Sequence, residues 1–555
     1  RNASADVLDF QEPNGYVDVR GKNIEEIKRF CSRLEAEDRA DDIAVVSLGD
    51  EIGLPRPRGD VDTAFRAWLR DQGLEPSEVM QGAGHDWEKL TYSPDKKTAE
   101  DRPGLYYWSM RFKHAWGVDR LRQRTGILTA HLPNAGIGAN YSPHHGYKYL
   151  GEVHKWVKLF REGGMTMPWS EDYIWQIPVG TQQMNFINLD LFRAGVKDRP
   201  EAKIHYYVMA HRPGNTRDNW RRQFYGDIMH GMQIVNLFEL RPLPFAYTEN
   251  YVNHFPMYRE LRTAFHELGT FEDIVQDGRP RRGRVALWFS ETSDIWDDNA
   301  PPFGAAKRAL YVALLHQQLP LDFVIEEDAL AGDLEHYDIL YVTDRHVSRR
   351  ATAAIADWVR GGGRLVATAG AGMLDQFDRP NAPMRELLGV DQKSIRTDEK
   401  MRFIKQEMPF TEPLTNVGLA AGDPPLPVVG ARSRIKLIEG KREDVTATFG
   451  DGSPAVVRRE VGKGRTDYLA FLPGLSYFYG AIPQRPVDRG AHPGAMSHFI
   501  PTNFDATTRQ LLAAISRDVS RPVICSEPLV ESRIVESEHG ILVPLVNWTP
   551  DPVDS

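Results

Sequence analysis

A chain of 555 residues is too long for one hydrophobic core, and at about 100–200 residues per domain several domains are expected. Its formal net charge of −9 is spread rather than blocked, which excludes the basic stripe of a nucleic-acid binder. No run of about 18 apolar residues is present to span a bilayer, so neither nucleic acid nor membrane is an expected partner.

The N-terminal half alternates helix and strand. Apolar residues recur at helical spacing over 23–37 (Ile24, Ile27, Phe30, Leu34), and 42–48 reads as a buried strand ending in Gly49-Asp50-Glu51-Ile52-Gly53. Helices are expected at 62–71 and 105–124, then a short strand over 135–141 that ends at Tyr141. A helix over 148–161 leads to an extended stretch over 165–169 ending at Trp169, and a helix over 181–194 to a strand over 204–209. A helix over 219–231 and a last strand over 233–238 complete this part. That makes five strands in a region where a complete (β/α)8 TIM barrel has eight in about 250 residues. A partial barrel over 1–275 is therefore expected, its first three strands missing from the chain.

After a polar, Arg-rich linker at 277–283 the pattern restarts. Strands at 285–289, 339–342 and 364–368 with a helix at 351–360 predict a doubly wound parallel sheet over 283–395. From 400 to 555 short strand-like runs punctuated by Pro and Gly predict a β-rich region, unfinished at Ser555. No repeat of solenoid period is visible.

Barrel enzymes place their catalytic groups at the C-terminal ends of strands, so Asp50 and Glu51 stand where an acid/base carboxylate belongs; the plainer reading is that they cap a turn. Cys31 and Cys525 are far apart and lack metal-ligand companions, so two buried thiols are expected rather than a disulfide or a zinc site. A metal site of His144, His145 and Glu171 is disfavoured because adjacent residues on an extended chain point apart. The glycine turns at 361–363 and 370–372 lack phosphate-loop spacing, and no cofactor is expected. The 12 Trp, 20 Tyr and 24 Phe suit stacking on sugars or ordinary cores equally. Residues 1–9 show no secretory signal, which leaves location open with the cytoplasm favoured over secretion.

The run Val45-Val46-Ser47-Leu48-Gly49-Asp50-Glu51-Ile52-Gly53 resembles the strand-four segment of clan A glycoside hydrolases, most closely glycoside hydrolase family 42, the β-galactosidases. The likeness continues in order through Ala64 to Arg70, Trp87 to Tyr92, Pro103 to Trp108, Trp169 ahead of Asp172-Tyr173, and Met229-His230-Gly231-Met232. In that family an Asn-Glu pair ends strand four, and the resemblance makes Glu51 the general acid/base. The family's nucleophile Glu ends strand seven; here the matching strand reads Val208-Met209-Ala210-His211-Arg212, with Ala210 in its place. Three explanations are open: another carboxylate replaces it, Glu171 or Asp172 being best placed; the enzyme is inverting; or the site is dead.

Asp50, Tyr141, Trp169, Asp172, His211, Arg212 and Glu239 are expected to line the pocket, with His211-Arg212 suited to an anionic sugar. The 283–395 domain resembles the class I glutamine amidotransferase fold but has no Cys at its 368–372 turn, which excludes that activity; the resemblance to the galactosidase family, whose related domain serves oligomerisation, implies a homo-oligomer, trimer or dimer. The expected function is hydrolysis of a β-linked galactoside or related glycan by a Glu51–Glu171 pair; the alternative is an inactive carbohydrate-binding or assembly protein on the same scaffold.

Overall fold

The computed structural model describes residues 15–82, 86–141, 153–171, 181–210, 215–238, 255–297, 301–398, 412–419, 424–438, 444–483 and 499–553. The chain divides into two compact units, one of 1–142, 152–171 and 192–205, the other of 143–151, 172–191 and 206–555.

The first unit is built on parallel strands. β1 (Tyr16–Asp18) pairs with β2 (Val45–Asp50), and β2 with β3 (Gly136–Asn140). A parallel bridge between Tyr141 and Ser170 continues the series to β4 (Trp169–Glu171). The amide of His205, which opens β5 (His205–Met209), donates to Pro168 O at 2.8 Å. β6 spans Ile234–Phe238. The five strands expected here are thus six: β1 was not foreseen, because three residues carry no readable alternation.

Parallel neighbours need long crossovers, and helices supply them. α1 (Ile24–Ala36) begins in a capping box, with Asn23 and Glu26 exchanging side-chain and backbone hydrogen bonds, and buries Ile27, Cys31 and Leu34 along one stripe. Between β2 and β3 lies a larger helical insertion containing α2 (Val61–Asp71) and α3 (Pro103–His131). It has a core of its own in Phe65, Leu69, Val79, Leu90, Leu105 and Phe112, against which Trp68, Trp87, Trp108 and Trp116 pack. Much of the aromatic richness therefore belongs to packing.

In the second unit a nine-stranded sheet dominates. Five of its strands are parallel, in the order β9 (Leu321–Val324), β8 (Val285–Trp288), β10 (Ile339–Val342), β11 (Arg364–Ala367) and β18 (Gly464–Leu469). The sheet then continues antiparallel through β17 (Pro454–Val461), β16 (Val445–Phe449), β13 (Thr415–Gly418) and β14 (Leu426–Val428). A domain boundary between 395 and 400 thus falls inside one sheet, since β18 pairs with β11 across it. The expected linker is also partly a strand: β7 (Arg279–Pro280) pairs with β20 (Val535–Ser537). Among the described residues no helix is long and apolar enough to cross a membrane.

Candidate active site

The candidate site lies at the strand ends of the first unit, where β2 finishes irregularly. Its pairing with β3 passes from Ser47 opposite Gly138 to Asp50 opposite Asn140, so β2 carries an extra residue, a bulge of the kind that re-aims side chains. Gly49, at φ +148°, makes the bulge accessible; a Cβ there would stand 2.5 Å from Ile52 Cγ2. The Gly49 amide donates to Ser47 Oγ at 3.2 Å. Glu51 then adopts φ +50°, a left-handed conformation that costs a non-glycine residue about 1–2 kcal/mol. Its amide is held by Asn140 O at 2.8 Å.

Asn140 ties the cluster together. Its Nδ2 donates to Asp50 Oδ1 at 2.9 Å and to Glu171 Oε2 at 2.8 Å. Glu171, 4% exposed, is the last residue of β4 rather than a residue beyond a strand ending at Trp169; the strand begins at Trp169. Burial pushes the Glu171 carboxyl up to about 8; the Asn140 hydrogen bond opposes this, and the carboxyls of Glu51 and Asp50 push the same way as burial. Among the described residues, no cation is among the groups acting on it. Its Oε1 is buried with no hydrogen bond of ordinary geometry. Glu51 and Glu171 therefore form a carboxyl pair at contact range, with Glu51 exposed and Glu171 enclosed.

The expected aromatic lining is placed differently. Tyr141 is fully buried, with Lys155 Nζ 4.7 Å above its ring and Trp156 tilted against it at 6.4 Å. Trp169 is also buried, stacked on His205 at 4.4 Å and met edge-on by Tyr16 at 6.2 Å. Burial pushes the His205 imidazole down to about 3, which keeps it neutral beside the indole. Both rings sit in the packed interior, where large apolar surfaces gain most, not on an open surface. Ala210, just past β5, is fully buried, so the position matched to the nucleophile offers only a methyl group. Asp172, His211, Arg212 and Glu239 lie outside the described residues, as do His144 and His145.

Asn140 is the residue that sequence reasoning missed. Successive strand residues face opposite ways, and singling out Tyr141 landed one position late. A polar residue ending an otherwise apolar strand was the available signal.

At the turn after β11 the Gly370 amide donates to Gln392 Oε1 at 2.9 Å and to Ser433 Oγ at 3.1 Å, so this glycine amide is engaged internally. Both cysteines are free; Cys31 is buried, as expected, but Cys525 is only half-buried. Among the described residues the one set at metal-ligand spacing is Asp277, Glu538 and His539, all exposed, where such groups are common.

Residues 288–479 match the family model of the β-galactosidase trimerisation domain. In structure the chain is similar to Gan42B, a GH42 β-galactosidase from G. stearothermophilus, at 15% identity over 95% of this chain and 76% of that one, with a TM-score of 0.68. It is similar to the β-galactosidase of Bacillus circulans sp. alkalophilus at 16% identity over 94% and 75%, TM-score 0.65. The β-galactosidase of the Antarctic haloarchaeon Halorubrum lacusprofundi gives 16% over 92% and 75%, TM-score 0.64. By sequence, no curated protein matches. The chain thus shares its fold with glycoside hydrolases of family 42, and its 288–479 segment matches their trimerisation domain.

Proposed function

We propose that the chain hydrolyses a glycosidic bond of a β-linked galactoside or related glycan, with Glu51 and Glu171 as its carboxylate pair. The observation that carries this reading is the Glu171 carboxyl, buried among the described residues without a cation, raised to about 8 and beside the exposed Glu51. Glycoside cleavage needs one carboxyl that holds a proton at working pH and one that does not.

Burial assigns the proton to Glu171, which exchanges the role that the family resemblance gives Glu51. In the first step the Glu171 proton passes to the leaving oxygen as the C–O bond breaks, and the Glu51 carboxylate bonds to the anomeric carbon. In the second, water displaces Glu51 and returns a proton to Glu171.

In this reading the first unit is part of a (β/α)8 barrel. The 288–479 segment is an amidotransferase-like domain that assembles the chain into a homo-oligomer, supported by its trimerisation-domain match. The test is hydrolysis of a panel of nitrophenyl β-glycosides by the wild type, Glu51→Gln and Glu171→Gln. Turnover lost in both variants supports the pair; turnover kept in either removes that residue. Buried Ala210 favours a second reading, a sugar-binding protein without catalysis, for which the wild type would bind sugars and turn over none.

A further inference from the structure

We propose that Asn140 is a positioning residue that confines the acid proton of Glu171 to Oε1, the oxygen that does not accept from the Asn140 amide. The inference rests on the Glu51–Glu171 reading above and deepens it. An amide NH2 has two hydrogens, and the Asn140 nitrogen spends one on Asp50 Oδ1 at 2.9 Å and the other on Glu171 Oε2 at 2.8 Å. An oxygen that accepts an N–H in this way is a poor place for a carboxyl hydrogen, which would point at the donor. Oε1 is buried and takes no such N–H, so the hydrogen resides there, on the carboxyl that meets the Glu51 side chain.

The geometry around the amide holds it in one orientation. A flipped carboxamide would aim its oxygen at Asp50, so two acceptors would face each other. Its backbone carbonyl meanwhile holds the Glu51 amide at 2.8 Å, so one residue sets the positions of Asp50, Glu51 and Glu171 together. Among the described residues the charged groups acting on Glu171 are Asp50, which ends β2, and Glu51, just past it; on β5, His205 stacks against Trp169 and is neutral. Asn140 is thus the hydrogen bond that favours the ionised form of Glu171 against burial and two like charges.

Removing that donor raises the proton affinity of Glu171 and frees its hydrogen to sit on either oxygen. Carbon-13 NMR titration of glutamate-labelled protein, with the Glu171 signal assigned through Glu171→Gln, reads this without any need for turnover. In Asn140→Ala the Glu171 midpoint is expected to rise by about half a unit or more, since a hydrogen bond that favours the charged form has been lost. Asn140→Asp, of the same shape, adds a third carboxyl and is expected to shift the midpoint upward too; it serves where Asn140→Ala does not fold.

Where the wild type hydrolyses an aryl β-glycoside, Asn140→Ala is expected to lower kcat by about 10–100-fold with little change in KM and to move the alkaline limb of its pH profile upward. A Glu171 midpoint that stays in place in both variants overturns the inference. A shifted midpoint in a protein without turnover upholds it while the proposed activity fails.

Discussion

Glu531 in the second unit and Glu171 in the first are each 4% exposed, yet their surroundings drive their protons in opposite directions. Burial would raise Glu531, but His230 at 2.8 Å, the Gln183 amide at 2.9 Å and the charge of Arg533 outweigh it and hold its carboxyl below the usual range. Asp190 completes that network, meeting His230 Nδ1 at 2.9 Å, the Tyr311 hydroxyl at 2.8 Å and Arg533 at 3.0 Å. Glu171 has one neutral amide and two like charges for company. A buried acid answered by cations acts as a clamp, whereas one left without them keeps its proton and is available as a reagent.

The contrast can be broken at either end. His230→Ala is expected to cost the most, about 3–5 kcal/mol of stability, because it leaves two buried carboxylates short of a partner; chemical denaturation measures it, and a loss under about 1 kcal/mol would deny the network its structural role. Glu171→Gln is expected to lower turnover by roughly 10³-fold, about 4 kcal/mol of barrier. The same substitution should raise thermal stability at neutral pH, since a buried acid has been removed; a fall in Tm would show that Glu171 is a structural group after all.

Smaller effects follow from pH, with opposite signs in the two regions. Glu171 is an acid whose folded value, about 8, lies above its unfolded one. Its contribution is fully present below about pH 4.3 and is lost as pH rises towards 8. His316, buried between Tyr477 and Gln183, is a base pushed by burial down to about 4, so its contribution is present above about pH 6.5 and is lost as pH falls towards 4. Between pH 6.5 and 4 the two effects oppose each other, so the His316 loss of about 2 kcal/mol is read as the difference in the pH dependence of unfolding free energy between the wild type and His316→Gln. An unchanged slope in that variant would assign the acid sensitivity to other groups.

Local patterns made part of this legible. β2 announced itself as Val45-Val46-Ser47-Leu48 running into two acids, and β8, β10 and β11 as short apolar runs with helices between. The pairing of β18 with β11 was not legible, because periodicity reports which face of a strand is buried and not which distant strand lies beside it. The clamp was equally hidden, as His230 and Glu531 are 301 residues apart in sequence. Glu171 was found as a carboxylate at a strand end, but its proton affinity depends on enclosure, which only the folded chain supplies.

Covalent trapping tests the central claim most directly. The wild type would be incubated with a dinitrophenyl 2-deoxy-2-fluoro-β-galactoside, which reacts with a nucleophilic carboxylate and then turns over slowly, and the labelled peptide sequenced by mass spectrometry. The account predicts a fluoroglycosyl ester on Glu51 that still forms in Glu171→Gln with this activated leaving group. An ester on a different carboxylate, or steady hydrolysis of ordinary aryl galactosides with no ester at all, would contradict it.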